Sequence, residues 1–132
     1  MTESIVLPDE LRREIIDHCT ASLPDEGCGL LALDSARVMK VYPTGNADGS
    51  PWSYTIPPQE HYDAVVDAES HGWEIQGAFH SHPSGPGQMS PTDLERALRP
   101  GWLYVVVGLG RSPAMSIWRD GLESTVPLPG VG

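Results

Sequence analysis

Residues 79–99 constrain the fold more than any other part of the sequence. They read Phe-His-Ser-His-Pro-Ser-Gly-Pro-Gly-Gln-Met-Ser-Pro-Thr-Asp-Leu-Glu-Arg-Ala-Leu-Arg. His80 and His82 are two residues apart, and the side chains of residues i and i+2 in an extended strand point to the same side. Both imidazoles could therefore reach one ion at the end of a strand.

A helix start follows the two histidines, after a loop rich in glycine and proline at residues 83–89. Ser90 suits the N-cap and Pro91 the first helical position, which places Asp93 in the first turn. From there the carboxylate can point back at the histidines. Two imidazoles and one carboxylate are a common open zinc set with a fourth position for water, so the pattern predicts a catalytic metal site rather than a structural one.

Ordinary structural roles compete with the metal site. A histidine on a strand is usually a polar surface or core residue, and Ser90 with Asp93 is also a good capping arrangement for a helix. We expect an Asp93 that bonds to its own helix to be unable to face a metal as well. The remaining histidines, His18, His61 and His71, have no partner at ligand spacing and are predicted to be surface residues.

The charge balance excludes several classes of partner. The 132-residue chain has 8 basic and 18 acidic residues and a net charge of −10, which disfavours nucleic acids and anionic membranes. No segment approaches the roughly 18 apolar residues of a membrane span, and residues 1–7 lack the basic residues of a signal peptide. Cys19 and Cys28 have no disulfide or zinc-site spacing and are predicted to be small buried residues. We therefore expect a cytoplasmic protein.

The periodicity of apolar residues predicts a single domain over residues 1–132, in the α/β class and of the α+β type. Helices are predicted at 8–19, at 57–70 and after Ser90, and strands at 28–33, 37–42, 52–56, 73–80, 102–109, 114–118 and 122–126. Hairpin turns are predicted at 34–36 and 120–121, and the 102–109 strand is expected at the centre of the sheet. The expected architecture is a mixed, curved sheet of about six or seven strands with three flanking helices.

Three motifs together resemble a known family. They are Glu-Gly-Cys-Gly-Leu-Leu from Glu26, His-Ser-His-Pro from His80 and Ser-Pro-Thr-Asp from Ser90. The chain resembles the JAMM (MPN+) metalloproteases, whose signature is a glutamate, a distant His-Ser/Thr-His, seven residues and then Ser-x-x-Asp. Residues 83–89 supply the seven, and the order of elements also matches, so the resemblance covers nearly the whole chain. It implies an MPN/JAB-like fold.

The resemblance implies a role for each candidate site residue. His80, His82 and Asp93 would hold one Zn²⁺ per chain, and a water bound to that ion would be the nucleophile. Glu26 would act as general base and then as acid for the leaving amine. Ser90 would donate a hydrogen bond to the tetrahedral oxyanion.

Residues beside these motifs receive supporting or alternative roles. Ser81 is expected to point away from the ligands and to support the strand. Gly27 and Gly29 flank the entry to a buried strand, where we expect the backbone to pass close to the site. Cys28 could serve as a nucleophile beside a histidine, although an activated water makes a thiol unnecessary.

The length of the chain narrows the substrate that the resemblance implies. Family members that cut ubiquitin chains carry insertions for which 132 residues leave little room. The chain looks like compact prokaryotic members that cleave the peptide or isopeptide bond after the C-terminal Gly-Gly of a ubiquitin-like sulfur carrier protein, for example releasing a C-terminal cysteine. Residues 43–51 are predicted to form the longest loop. Residues 47–51 are a candidate gate, and residues 47–54 are the predicted groove for the carrier's tail.

Two other functions stay open at this level. One is a metal-free MPN-type binding scaffold, which the intact set of Glu26, His80, His82 and Asp93 disfavours. The other is a DNA-repair-associated JAB-domain protein, which the acidic charge disfavours. The sequence leaves the oligomeric state undetermined, with a homodimer among the options.

Overall fold

A six-stranded mixed sheet and three helices form the part of the chain that the structure, a computed structural model, describes, residues 4–128. The helices are α1 (Asp9–Ser22), α2 (Pro58–Ser70) and α3 (Pro91–Arg96). The strands are β1 (Cys28–Asp34), β2 (Arg37–Thr44), β3 (Glu74–His82), β4 (Leu103–Gly108), β5 (Ala114–Arg119) and β6 (Leu122–Pro127). The order across the sheet is β2-β1-β3-β4-β5-β6, in which β3 and β4 run parallel and the other paired neighbours are antiparallel. The predicted fold class is confirmed.

The first two helices cover opposite faces of the sheet. Ile15 and Cys19 of α1 pack in one apolar cluster with Leu31, whereas Ala64 of α2 packs in another with Leu30. Successive residues of β1 therefore enter different clusters, which is why this strand reads as a continuous apolar run rather than an alternating one. Both cysteines are fully buried free thiols, as predicted.

The predicted turns and the central strand are confirmed. Ser35 joins β1 to β2 with φ 54°, and Asp120 and Gly121 join β5 to β6 with φ 48° and 86°. Positive φ at both central residues is the conformation that a two-residue hairpin favours. β4 lies between β3 and β5, and five of its six residues are buried.

The predicted strand at 52–56 is wrong, so the sheet has six strands in the described range. The segment from 45 to 57 is irregular. The side chain of Asn46 accepts from the Thr55 N–H (3.1 Å) and donates to the Ser53 carbonyl (3.0 Å). A side chain therefore takes the place of a neighbouring strand for these backbone groups, and Pro57 has no N–H with which to continue a ladder.

Several element ends differ from the prediction. β3 extends to His82, two residues beyond the predicted end, because its pairing with β4 continues to the His82–Gly108 position. α1 extends to Ser22 and β2 to Thr44. The added length of β3 matters most, since both histidines then belong to one regular strand.

Only one of the three remaining histidines is an exposed surface residue. His71 is exposed and stacks on Trp73, whereas His61 is half-buried. The prediction is wrong for His18, whose Nε2 lies 3.1 Å from the Thr44 carbonyl oxygen and whose ring packs edge-on against Phe79.

No helix within residues 4–128 is both long and apolar enough to cross a bilayer. Part of the segment assessed as a signal peptide, residues 1–3, lies outside the described residues.

Candidate metal centre

The end of β3 presents two imidazoles to one point. His80 and His82 lie on the same side of the strand, with their Nε2 atoms 3.3 Å apart. The side chain of His80 is 5% exposed and that of His82 is 16% exposed. The shared orientation predicted from their i, i+2 spacing is confirmed.

Both rings are held by groups outside the cluster. His82 Nδ1 lies 2.8 Å from the Pro86 carbonyl oxygen. A carbonyl can only accept, so Nδ1 carries the proton and a neutral His82 has its lone pair on Nε2. The ring of His80 stacks on Tyr54 with 4.7 Å between centroids. Such fixing of ring and tautomer is typical of metal-binding histidines.

The start of α3 brings the third candidate ligand. Ser90 and Asp93 form a capping box, in which the Asp93 N–H donates to Ser90 Oγ (3.1 Å) and the Ser90 N–H donates to Asp93 Oδ2 (2.9 Å). The same carboxylate faces the histidines, with Oδ1 3.1 Å from His80 Nε2 and Oδ2 3.0 Å from His82 Nε2. The expectation that capping and metal ligation exclude each other is therefore wrong, because a carboxylate has enough lone pairs for both.

The three side chains fit a divalent cation. Their ligand atoms all lie within 4.8 Å of one another. The lone pair of a neutral His82 and the Asp93 carboxylate are both acceptors, and at 3.0 Å they repel unless a proton or a cation lies between them. In the metal-free protein a protonated His82 can donate to this carboxylate from Nε2, and the pKa of His82 is accordingly raised by Asp93. Burial raises the pKa of Asp93, but such hydrogen bonds from His80 and His82 outweigh it and hold that pKa well below its usual range. The carboxylate is therefore ionised at any ordinary pH.

Glu26 lies beside this cluster without belonging to it. The residue is 6% exposed. Burial, partly offset by attraction to His82 and reinforced by repulsion from Asp93, raises its pKa from the usual 4.5 to about 7. A carboxyl group with such a pKa can both accept and release a proton near neutral pH.

Ser81 holds the Glu26 segment against β3. The Gly27 N–H donates to Ser81 Oγ (2.8 Å), and the Ser81 N–H donates to the Gly27 carbonyl (3.0 Å). Ser81 is fully buried. It therefore supports the strand, as predicted, and it does so by fixing the chain next to Glu26.

The glycines after Glu26 allow close packing beside the site. A Cβ at Gly27 would lie 2.8 Å from Cys19 Cα in α1, and one at Gly29 would overlap the ring of Phe79. The backbone does pass close to the site here, as expected, because Gly27 is hydrogen-bonded to Ser81 between the two histidines and the next residue, Cys28, pairs with His80. The absent side chains allow α1 and β3 to pack closely on β1.

The thiol of Cys28 does not face the histidine cluster as a nucleophile would. Its Sγ donates to the Gly45 carbonyl (3.3 Å) and lies 3.5 Å from Thr44 Oγ1. Burial raises the pKa of this thiol, which reduces the thiolate fraction on which nucleophilicity depends.

A cleft of about 470 Å³ opens above the cluster. Its lining includes Glu26, Ser90, Asp93 and two separate segments, residues 51–54 and 82–86. Of the predicted groove at 47–54, the second half lines the cleft and residues 47–50 do not. Trp52 stands at the edge with 80% of its surface exposed.

Sequence reasoning missed Arg96, Asn46 and the contact that Tyr54, which lies within the predicted groove at 47–54, makes with a candidate ligand. Tyr54 stacks on His80, Arg96 lines the cleft, and Asn46 donates to the Glu26 carbonyl (3.1 Å). Arg96 follows Asp93 by three positions, which places the two on neighbouring positions of one helix face, so the sequence did contain a signal for it. Nothing in the local pattern marks Asn46 or Tyr54, since their partners are distant in sequence or belong to an irregular segment.

The candidate ligand set and the nearby carboxyl group lie at one end of strand β3 in a mixed sheet. The chain belongs to the family described as prokaryotic homologs of the JAB domain, whose model matches residues 8–120. The resemblance to JAB/MPN proteins inferred from the motifs is therefore confirmed.

Curated relatives of the chain are named as a desampylase and as a peptidase. It is 36% identical to a desampylase of Haloferax volcanii over 114 residues, which cover 80% of this chain and 82% of the relative. It is 32% identical to a CysO-cysteine peptidase of Mycobacterium tuberculosis over 108 residues, which cover 78% and 72% of the two chains.

Solved structures share the fold. A protein of Desulfitobacterium hafniense matches with a TM-score of 0.74 and 30% identity, over 93% of this chain and 90% of that chain. A JAB1/MPN domain protein of Archaeoglobus fulgidus matches with a TM-score of 0.60 and 18% identity, over 93% and 94%. The MPN/JAB-like fold expected from the sequence is confirmed.

Proposed function

We propose that residues 1–132 act as one zinc-dependent hydrolase domain that cleaves the peptide or isopeptide bond after the C-terminal Gly-Gly of a ubiquitin-like carrier protein. One observation carries the proposal. A buried carboxyl group, Glu26, lines the same cleft as His82 and Asp93, and the side chains of these two residues converge with that of His80.

The donor set suits zinc, since two imidazole nitrogens and one carboxylate oxygen leave a fourth position open. A zinc ion held there would polarise the scissile carbonyl and lower the pKa of a water towards about 7. His80 and His82 would each offer Nε2, and Asp93 would offer carboxylate oxygen. The Pro86 carbonyl keeps His82 in the required tautomer.

Glu26 would act as the general base and the general acid of the reaction. As a carboxylate it takes a proton from the attacking water, and as a carboxylic acid it returns that proton to the leaving amine. A pKa of about 7 in the absence of metal suits both steps. With only 6% of the residue exposed, few water molecules can reach the carboxyl group to exchange the transferred proton.

Ser90 would stabilise the oxyanion. Its oxygen already accepts the Asp93 N–H, and its half-buried side chain lines the cleft. The hydroxyl proton therefore stays available for donation to the carbonyl oxygen of a substrate, where negative charge develops.

The cleft and the relatives support a carrier tail as substrate. An extended Gly-Gly segment has no side chains and can therefore lie in a narrow groove between two walls. Pro51 and Tyr54 line one wall and Pro83 and Pro86 the other. The similarity to a desampylase and to a CysO-cysteine peptidase favours a carrier conjugate over an unrelated peptide.

The test combines metal content, activity and one substitution. Purified protein should hold about one zinc per chain, lose activity on chelation and regain it with added Zn²⁺. Glu26→Gln should retain zinc and lose about 100- to 10,000-fold in kcat, whereas Glu69→Gln on the exposed side of α2 should match the wild type. Mass spectrometry of carriers extended beyond Gly-Gly would detect the released residue. Full activity after chelation, or in Glu26→Gln, would contradict the proposal.

A further inference from the structure

One cation faces a cleft whose fixed charges are otherwise negative. Among the described residues that line the cleft, Arg96 is the one arginine or lysine, and it shares the lining with the carboxyl groups of Glu26 and Asp93. The chain carries 18 acidic and only 8 basic residues. A guanidinium at this position is therefore not a product of a generally basic surface.

Arg96 is placed by the same helix that supplies a candidate ligand. It is the last residue of α3 and follows Asp93 by three positions, so both side chains lie on neighbouring positions of one helix face. It is close enough to Glu26 for its positive charge to lower the pKa of that carboxyl group, although burial dominates. Arg96 therefore lines the same cleft as Glu26 and Asp93, and its positive charge acts on Glu26.

The guanidinium of Arg96 forms no ion pair within the described part of the chain. No carboxylate of residues 4–128 lies within 4.0 Å of it, so neither Glu26 nor Asp93 is an ion-pair partner. An arginine presents a planar fork of N–H donors that matches a carboxylate in two hydrogen bonds. The group that it suits best is thus a carboxylate brought by the substrate.

The two kinds of substrate differ in whether a carboxylate lies near the scissile bond. This comparison rests on the proposed function. A single residue appended after Gly-Gly carries its α-carboxylate on the carbon next to the leaving nitrogen. An isopeptide conjugate instead joins Gly-Gly to a lysine side chain, where no carboxylate lies near the leaving nitrogen. Glu26 would repel the first kind of substrate unless a cation offset the charge.

We propose that Arg96 binds the α-carboxylate of a single residue appended to the carrier, and that it thereby favours release of a terminal amino acid over cleavage of a lysine isopeptide. It is a specificity-determining residue in this role. The scissile bond and the proton transfers are those already described, so no further reactant is needed.

A helix-end role is the simplest competing explanation. A basic residue in the last turn interacts favourably with the helix dipole, but that interaction needs only a charge. Arg96→Lys keeps the charge and removes the fork, whereas Arg96→Gln removes both. Arg99→Gln makes the same change in net charge three residues further on, at an arginine that stacks over Trp102 and does not line the cleft.

The test compares three substrates built on one carrier. The first ends in Gly-Gly-Ala with a free carboxylate, the second ends in the same residue as a carboxamide, and the third joins Gly-Gly to the side chain of N-acetyl-lysine amide. The wild type should prefer the free acid to the carboxamide.

Arg96→Gln should lower kcat/KM for the free acid by about 10- to 100-fold, the loss expected for charged hydrogen bonds. It should change the isopeptide by less than about twofold and act mainly through KM. Arg96→Lys should recover only part, and Arg99→Gln should match the wild type.

Two results would overturn the inference while leaving the proposed function intact. One is equal cleavage of the free acid and the carboxamide by the wild type, and the other is an equal loss on all three substrates in Arg96→Gln. If the wild type cleaves none of them, the proposed function fails, and calorimetry then decides the role of Arg96. The zinc-loaded Glu26→Gln variant should bind the free acid more tightly than the carboxamide, and equal affinity would overturn the inference.

Discussion

The two walls of the cleft are built in different ways. The ligand wall, residues 80–93, is one short stretch of chain in which a regular strand ends, a tight loop turns and a capped helix begins. The loop wall consists of Glu26 and the irregular segment 45–57, of which residues 51–54 line the cleft and the rest lies behind them. These two parts are separate in the chain and have no helix or strand. Side-chain hydrogen bonds, rather than a backbone ladder, hold the loop wall in shape.

Asn46 is the centre of the loop wall. Its Nδ2 lies within hydrogen-bond distance of the carbonyl oxygens of Glu26, Ser50 and Ser53, and its Oδ1 accepts from the N–H groups of Asp48 and Thr55. The Glu26 N–H also donates to the Ser50 carbonyl (2.9 Å). The contrast suggests that metal affinity depends on the ligand wall and proton transfer on the loop wall, so substitutions should separate the two.

The largest expected effect comes from Asp93→Asn in the ligand wall. The amide oxygen can still accept the Ser90 N–H, so the helix cap survives, but the negative charge between His80 and His82 is lost. We expect metal affinity to fall at least about 100-fold, which is more than the loss of a group that only hydrogen-bonds to a metal ligand would cause. Activity should fall at least about 1,000-fold, because the several kcal/mol supplied by a metal ion is removed. Metal analysis after dialysis and a chelator competition would measure the change.

The control for this prediction is Asp17→Asn on the exposed side of α1, which makes the same charge change away from the cleft. It should keep metal and activity. An Asp93→Asn protein that retains one tightly bound zinc would show that Asp93 is a capping residue only.

A smaller effect is expected from Asn46→Ala in the loop wall. Loss of the side chain frees the Glu26 carbonyl and the segment that carries Tyr54, and a displacement of about 1 Å at a catalytic group can cost about 100-fold. We expect kcat to fall about 10- to 100-fold while zinc content stays unchanged. Asn46→Asp should be at least as harmful, because its carboxylate would face three carbonyl oxygens. Loss of zinc in Asn46→Ala would contradict the separation of the two walls.

The same contrast explains what the sequence could and could not predict. The ligand wall follows from local rules, since strand period and capping preference place His80, His82 and Asp93 without reference to distant residues. Even there, local rules do not predict that the Asp93 carboxylate both caps α3 and faces the two histidines, because each rule assigns the side chain a single partner. The loop wall depends on where Asn46 lies after folding. Its segment at 52–56 has the alternating composition of a strand, but no neighbouring strand is available to pair with it.

The last prediction concerns the free energy of unfolding, which is lowered because Glu26 is buried. The pKa of Glu26 is about 7 in the folded protein and near 4.5 when the chain is unfolded. Between these values the folded state binds more protons than the unfolded state, so this group lowers stability as pH rises from about 4.5 to 7 and has no further effect above that window. Glu26→Gln removes the titration. In metal-free protein, the variant should therefore be more stable than the wild type by about 1–3 kcal/mol at pH 8 and equally stable near pH 4.

Urea unfolding at the two pH values would measure this difference, with the exposed Glu69→Gln as the matched control. A stability gain that is the same at pH 4 and pH 8 would contradict a raised pKa, since it would arise from packing and not from charge. Zinc should reduce the gain at pH 8, because a bound cation favours the carboxylate that burial disfavours. The carboxyl group of Glu26, which weakens the metal-free fold, is then also the group to which the proposed function assigns the proton transfers.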